Sequence, residues 1–409
     1  MDITPPIGTS SAGYQKRSGI GMQGIHDPCL ATALLIDDGE KFFAFVSVDH
    51  LGFDYSMVEE IRLGIQQISL HKDCHLILGS THTHSGGGGY LNIPGIGEVI
   101  SGTFNPQIRQ FYIDATVEAI ETAAKNLRIA KLGIETIELN NLNVYRGSYP
   151  KEAEPRQSLT VWKIVDDLNT PFAILYNFPI HPTVLPYQNL QFSADFVASS
   201  RQMLQETYGN DCHTLFFNGA QGDVTPLICP FENLSTSFAE AKRIGKSMAS
   251  AVITACDRIQ PQDDISFKHL RFPYSFEVKP TILGTSLPIK LYHTELNLLV
   301  VNESHAFACV PGELSCVYDA RLQKRAEKLG FESLSIFGLC NDAHGYILLP
   351  QAWEIPSTES AKSFGGRNYG ERIFHMFDQL LEIISQPSIY RHFYGKRELV
   401  SPNCMENLS

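Results

Sequence analysis

The chain has 409 residues, 43% of them hydrophobic and 19% charged, with a formal net charge of −12 and nine cysteines. That apolar content supplies a large core and excludes a disordered chain, and the acidic balance, with basic residues no denser than pairs such as Lys16-Arg17, disfavours a nucleic-acid or anionic-membrane partner. Two or three domains would be usual at this length, but no linker divides the sequence, so a single domain over 1–409 is expected.

In chain order, the opening Asp2-Ile3-Thr4-Pro5 carries no basic-then-apolar leader, and no apolar run reaches membrane-spanning length. Period-two and short continuous apolar runs predict strands at Leu30–Ile36, Phe42–Val48 and His75–Leu78. A helix follows over Asn105–Asn126, with Asn105 as cap and Pro106 in the first position. Strands are predicted at Lys131–Leu139, Leu159–Val165, Phe172–Phe178 and Thr214–Phe217, with a helix starting near Phe196 that Asp195 caps. After a helix over Ser235–Asp257 come strands at Ile265–Phe272, in the cluster Glu295–Val310 and at Ser333–Leu339, with a helix at Leu314–Leu329 and a last one beyond 370. The fold class is α/β, with mixed β-sheets flanked by helices, and such alternation favours ligand sites at strand ends. Cys29, Cys74, Cys212, Cys229, Cys256, Cys309, Cys316, Cys340 and Cys404 form no C-x-x-C pair, and they read as buried thiols of a reducing compartment. A cytoplasmic soluble protein is expected.

Four strand ends carry polar groups. Ser80-Thr81-His82-Thr83-His84-Ser85 sits between an apolar run and the glycines Gly86 to Gly89. Positions i and i+2 of an extended segment face opposite ways, so one histidine can ligate a metal while the other does something else. A polar strand end with two solvated histidines is the other reading of His-x-His alone. His181 lies between Pro179 and Pro182, which stiffen its backbone, while Pro311-Gly312-Glu313 and Asn341-Asp342-Ala343-His344-Gly345-Tyr346 end two later strands. The glycine run lacks the lysine or spacing of a phosphate cradle and reads as close backbone approach to metal or substrate. Asp49-His50 reads either as an outer hydrogen-bonding pair behind a ligating histidine or as a turn. His344 reads as a locally satisfied histidine, and Trp162 and Trp353 as packing or pocket-wall residues.

Taken together, Thr81-His82-Thr83-His84-Ser85-Gly86, Ile180-His181-Pro182-Thr183, Gly222-Asp223-Val224-Thr225-Pro226, Pro311-Gly312-Glu313 and Gly345-Tyr346 resemble, in order and context, the neutral/alkaline non-lysosomal ceramidase family, from residue 2 to about Tyr369. The resemblance implies one zinc per chain held by His82, His181, Glu313 and Tyr346, a donor set of imidazole nitrogen and hard oxygen that suits a Lewis-acidic catalytic ion. It also implies that His84 and Arg146 act near the reacting carbonyl, that Asp223 belongs to the nucleophile motif, and that Tyr369 is a second active-site tyrosine, although farther from Tyr346 than in the family. The implied activity is hydrolysis of the carbon-nitrogen bond of an N-acyl amide, small or lipid-like, through a metal-activated water or the Thr225 hydroxyl.

Two departures bear on that activity. The family carries serine where this chain has Thr225, whose methyl crowds a carbonyl, so water is the expected nucleophile. The family's additional C-terminal β-domain has no counterpart before Ser409, which disfavours ceramide itself as the substrate. A biosynthetic amide- or lactam-forming cyclase or acyl-transfer enzyme, a true ceramidase, and a non-catalytic metal-binding domain are the other readings. No nucleic-acid partner is expected, and the oligomeric state is left open.

Overall fold

The computed structural model describes residues 1–390, apart from 18, 71, 94–96, 229–232, 279–280, 283–284, 287–289 and 387, and without the side chains of 281–290. Cys229, Cys404 and the tail from 391 lie outside the described residues. The chain forms two compact units, one of residues 1–144, 157–218 and 225–264, the other of 145–156, 219–224 and 265–409. Because the chain passes from one to the other within short segments, no composition break marks the division.

The first unit contains two sheets. Strand β1 (Ala31–Asp37) is antiparallel to β2 (Phe42–Val48), which is parallel to β3 (Cys74–Ser80). Every residue of β2 is buried, as a central strand covered on both faces requires. Helices α1 (Tyr55–Gln67) and α2 (Pro106–Lys125) pack with this sheet around Phe42, Val46, Ile61 and Ile120. Asn105 caps α2 through the Gln107 amide, as expected from the sequence. The sequence reading missed α1, whose glycine weakens a helical pattern. A Cβ at Gly64 would stand 2.6 Å from Val117 of α2, so the glycine permits the close approach of the two helices.

The second sheet of this unit has the order β7-β6-β5-β4, with β4 (Lys131–Glu138), β5 (Ser158–Val165), β6 (Pro171–Phe178) and β7 (His213–Asn218). Strands β6 and β7 are parallel and the other pairs antiparallel. Helices α3 (Phe196–Tyr208) and α4 (Leu234–Arg258) cover it, burying Val197, Leu204, Ile244, Met248 and Val252. Ser47 of β2 donates to the Phe216 carbonyl of β7 at 2.7 Å, stitching the two sheets together. Trp162 is wholly buried with its ring 5.1 Å from Phe45, which is packing.

The second unit holds a sheet of order β8-β9-β10-β12, with β8 (Phe267–Val278), β9 (Lys290–Val301), β10 (His305–Cys309) and β12 (Ser333–Phe337). The short strand β11 (Glu313–Leu314) and helix α5 (Cys316–Lys328) connect β10 to β12, and β11 pairs in parallel with β13 (Tyr346–Ile347). Strand β8 continues six residues past the predicted end at Phe272, through Pro273. It lies on the sheet edge, where the missing proline N–H breaks no ladder. Helix α6 (Tyr369–Ser385) buries Ile373, Phe377 and Leu381 with Leu296, Leu298 and Leu322. Among the described residues, no helix is long and apolar enough to cross a membrane, and seven cysteines are free thiols.

Candidate metal centre and its surroundings

In the first unit the ends of β3 and β6 bring three imidazoles together. One ligating atom from each of His82, His84 and His181 lies within 4.8 Å of the others. His82 and His181 are 5% and 1% exposed, so a metal here would be shielded from bulk water on its protein side. His82 has φ 70, in the left-handed region that a histidine enters only when its surroundings hold it there. Its amide donates to the His50 carbonyl at 3.0 Å and its Nδ1 to the Leu51 carbonyl at 2.5 Å. That second bond fixes the tautomer and leaves Nε2 as a lone-pair donor, the usual outer arrangement of a metal-ligating histidine. His82 Nε2 and His84 Nε2 are 3.3 Å apart. Two nitrogens each about 2.0–2.1 Å from one tetrahedral ion would be separated by about the same distance. The imidazole set therefore fits a zinc ion with His84 as one of its donors, whereas the resemblance implies that His84 acts on substrate.

Asn218, at the end of β7, ties the two histidine-bearing turns. Its amide nitrogen donates to the Thr81 carbonyl at 3.1 Å and its side-chain oxygen accepts from the Ile180 amide at 3.3 Å. Sequence reading missed it, although an asparagine closing a strand before Gly219-Ala220-Gln221-Gly222 is a turn signal of the same kind. Arg17, also missed, is buried with its guanidinium donating to the carbonyls of Asn189 and His84. The glycine run is a correction to the sequence reading. Added Cβ atoms would meet the Tyr112 hydroxyl at 1.9 Å from Gly87 and the Ser101 carbonyl at 2.2 Å from Gly88, so the close approach is to this unit's own chain. Asp195 caps α3 by accepting from the Phe196 amide at 2.7 Å, as expected from the sequence, and accepts from the Leu185 amide at 2.9 Å as well. Thr225 lies half-exposed on the short strand Val224–Pro226.

Behind His82, Asp49 is buried in an ion pair with Arg201 at 2.6 Å and accepts from the Leu30 amide at 2.9 Å. Burial pushes its carboxyl up, and the Arg201 guanidinium opposes that. The His50 ring packs 4.0 Å from Tyr90, 4.6 Å from Tyr112 and 4.8 Å from Phe53, and burial lowers its pKa to about 3. The pair supports His82 through the His50 carbonyl, not through the His50 ring. An unfolded histidine takes up its proton near pH 6.5, so the contribution of the neutral ring is complete above that pH. It is lost as pH falls toward 3, at about 1.4 kcal/mol per unit. Between pH 7 and 5 wild-type protein should therefore lose about 2 kcal/mol more unfolding free energy than His50→Phe. Parallel pH slopes for the two proteins in urea titrations would refute this.

In the second unit, Glu313 opens β11 beside Tyr346, the first residue of β13, and the two are register partners. Both are buried, at 6% and 5% exposure. Burial and the neighbouring Glu313 carboxylate, to which the phenol donates, push the Tyr346 hydroxyl well up, and Arg146 pulls the other way. Arg146 donates to the Tyr346 oxygen at 3.3 Å, and its Nε stands 3.4 Å from Glu359, an acid that sequence reasoning did not single out. A phenol and a carboxylate in contact are hard oxygen donors of the type expected. Asp223 accepts from the Ser315 hydroxyl and from the Cys316 amide at 2.8 Å, which engages its carboxylate at the start of α5. Tyr369 contacts a tyrosine and a histidine of the second unit. Its hydroxyl lies 2.5 Å from that of Tyr274 and 2.7 Å from His344 Nε2, inside the core of this unit. His344 is satisfied by Tyr369 and by Asp342, 3.4 Å from its Nδ1, as its local reading held. The Trp353 indole donates to the Ser363 carbonyl at 3.4 Å.

Known proteins resemble the chain in sequence and in fold. Neutral ceramidase A of Dictyostelium discoideum is 27% identical over 250 residues, which are 55% of this chain and 35% of that protein. Neutral ceramidase of Drosophila melanogaster is 27% identical over 249 residues, covering 56% and 35%. The match thus spans about a third of the length of these curated relatives. Neutral ceramidase from Pseudomonas aeruginosa superposes with a TM-score of 0.79 at 16% identity, over 95% of this chain and 73% of that one. A structure described as ceramidase complexed with C2 gives 0.78 at 15% identity, over 98% and 76%. These two show the same fold, mixed sheets flanked by helices. The family model described as "Neutral/alkaline non-lysosomal ceramidase, N-terminal" matches residues 1–268, more than half of the 409, and the chain belongs to that family.

Proposed function

We propose that the chain is a zinc-dependent amidohydrolase acting on the carbon-nitrogen bond of an N-acyl amide, with 1–409 working as one catalytic domain. The observation that carries this reading is the cluster of His82, His84 and His181, with the His82 tautomer set by the Leu51 carbonyl. The family match over residues 1–268 takes in His82 and His181, and the resemblance of Pro311-Gly312-Glu313 and Gly345-Tyr346 adds Glu313 and Tyr346 to them as the ligands of one zinc per chain. Zinc, when bound, supplies a Lewis acid for the substrate carbonyl. His84 donates to the developing oxyanion or passes a proton to the leaving nitrogen, and the Arg146 guanidinium, held against Glu359, adds positive charge where the oxyanion grows. Asp223 anchors the turn leading to Thr225 through Ser315 and Cys316, and so acts on position. The free thiols support a reducing, cytoplasmic compartment, which cell fractionation tests.

The names of the relatives make ceramide one substrate to try, beside short-chain N-acyl amides. Turnover of either class should vanish on treatment with a chelator and return with zinc. An enzyme indifferent to chelation would overturn the zinc reading, and one that condenses acid and amine but leaves amides intact would favour the cyclase. Thr225→Ala should lose about 1 kcal/mol of transition-state stabilisation, about fivefold in kcat, as fits a hydroxyl that positions an attacking water. A loss on the order of a thousandfold with fold and metal retained, reversed in Thr225→Ser, would make Thr225 the nucleophile instead.

A further inference from the structure

The turn from β12 to β13 is strained and unusually well tied. Leu339 and Asn341 have φ 51 and 56, left-handed values rare for a side-chain-bearing residue, and Gly345 has φ 94. Such a path persists only where the surroundings over-determine it. Here the ties come from three other elements. Asn341 donates to Glu295 of β9 at 2.8 Å, and Glu295 is itself wholly buried and held by Arg271 at 2.6 Å. Tyr292 of β9 donates to Asp342 at 2.9 Å. His344 meets Tyr369 of α6, and Tyr369 meets Tyr274 of β8.

With the Nδ1 proton of His344 facing Asp342, its Nε2 accepts from the Tyr369 hydroxyl, whose oxygen accepts from Tyr274. The polar chain is then directional from end to end. Asp342, His344, Tyr369 and Tyr274 are each at most 6% exposed, and the two tyrosines belong to a core made mostly of aliphatic and aromatic side chains. Taking so many polar groups from water is unfavourable where apolar side chains of similar size would serve, so the arrangement fixes a position rather than adding stability. The far end of the turn shows which position. The His344 amide donates to the Pro311 carbonyl at 3.2 Å and the Glu313 amide to the Gly345 carbonyl at 2.9 Å, so the turn is bonded to the segment that carries Glu313 and runs directly into Tyr346.

We propose that the buried chain Asp342–His344–Tyr369–Tyr274 is a positioning device that holds Glu313 and Tyr346 in register for metal binding. The metal part rests on the zinc reading above. Tyr369 is on this view a positioning residue that acts through His344, and not the substrate-contacting tyrosine that the resemblance implies.

Tyr369→Phe removes the shared hydroxyl and keeps the ring against Phe276, 4.5 Å away. Zinc affinity measured by chelator competition should fall about 10- to 100-fold, and kcat on an N-acyl amide should fall in parallel while KM stays within about threefold. Hydrogen exchange should accelerate in residues 339–346 and at Glu313–Leu314, with β10 and β12 unchanged. Tyr274→Phe, at the far end of the chain, should change zinc affinity by no more than about threefold. Unchanged zinc affinity, kcat and exchange in Tyr369→Phe would overturn the proposal. Equal losses in both variants, with exchange raised throughout the sheet, would also overturn it, since the chain would then serve fold stability alone. Wild-type protein that binds no zinc would sink the zinc reading, and the exchange pattern would still decide whether the turn is held by this chain.

Discussion

His82→Ala or His181→Ala is expected to empty the metal site and lower turnover by about a thousandfold or more, leaving the fold in place. Elemental analysis should find about one zinc per wild-type chain and little in either variant. The fold should survive because both rings sit on turns after completed strands, β3 and β6, and the hydrophobic clusters of the unit lie on the helix-covered faces of the sheets. His84→Ala separates two roles. Retention of zinc with a loss of about 10²–10⁴ in kcat identifies His84 as the group that moves a proton. Loss of zinc would make it a third imidazole ligand, an outcome that its 3.3 Å approach to His82 makes a real alternative. Active wild-type protein without metal would end the zinc reading.

The second large effect belongs to Arg201. Arg201→Met leaves the Asp49 carboxylate, 1% exposed, without its ion-pair partner, and breaking a buried pair from one side costs about 3–5 kcal/mol. That is a large part of the about 5–15 kcal/mol by which domains are stable. Adding Asp49→Asn should restore much of it, because the orphaned charge is what destabilises. Urea unfolding of wild type, single and double variants measures the difference. A loss below about 1 kcal/mol in Arg201→Met would mean that Asp49 reaches water. The pair adjoins His50, whose carbonyl holds the His82 amide, so weaker zinc binding should accompany the lost stability.

The strands were legible because burial on one or both faces writes itself into short apolar runs, and observed ends fall within a residue or two of the reading for β1, β2, β5, β6 and β7. The histidine turns were legible for a related reason, since a polar group after an apolar strand, stiffened by proline or followed by glycine, stands out locally. What stayed hidden depends on partners distant in sequence. Asn218 acts on Thr81 across 137 positions and on Ile180 across 38, and no local pattern announces either bond. Tyr369 was placed by order and residue type alone. Its hydroxyl answers to Tyr274, 95 positions away on an edge strand that the reading ended at Phe272, two residues short of that tyrosine. Glu359 was passed over because an acid at the start of a short helix looks like ordinary helix chemistry, whereas here it faces Arg146.

The Asn218 bridge also orders events in time. Thr81 and Ile180 can be joined only after β7 has been laid beside β6, so the two histidine turns are expected to acquire their common support after that pairing. Contacts spanning more than a hundred residues are slow to close, and a chain caught before that step offers the ion two loose imidazoles in place of a shaped receptor. In a small zinc finger the ion gathers the chain around itself. For this chain the expected order is the reverse, so metal added during refolding should leave the early rate unchanged and act only on the last phase.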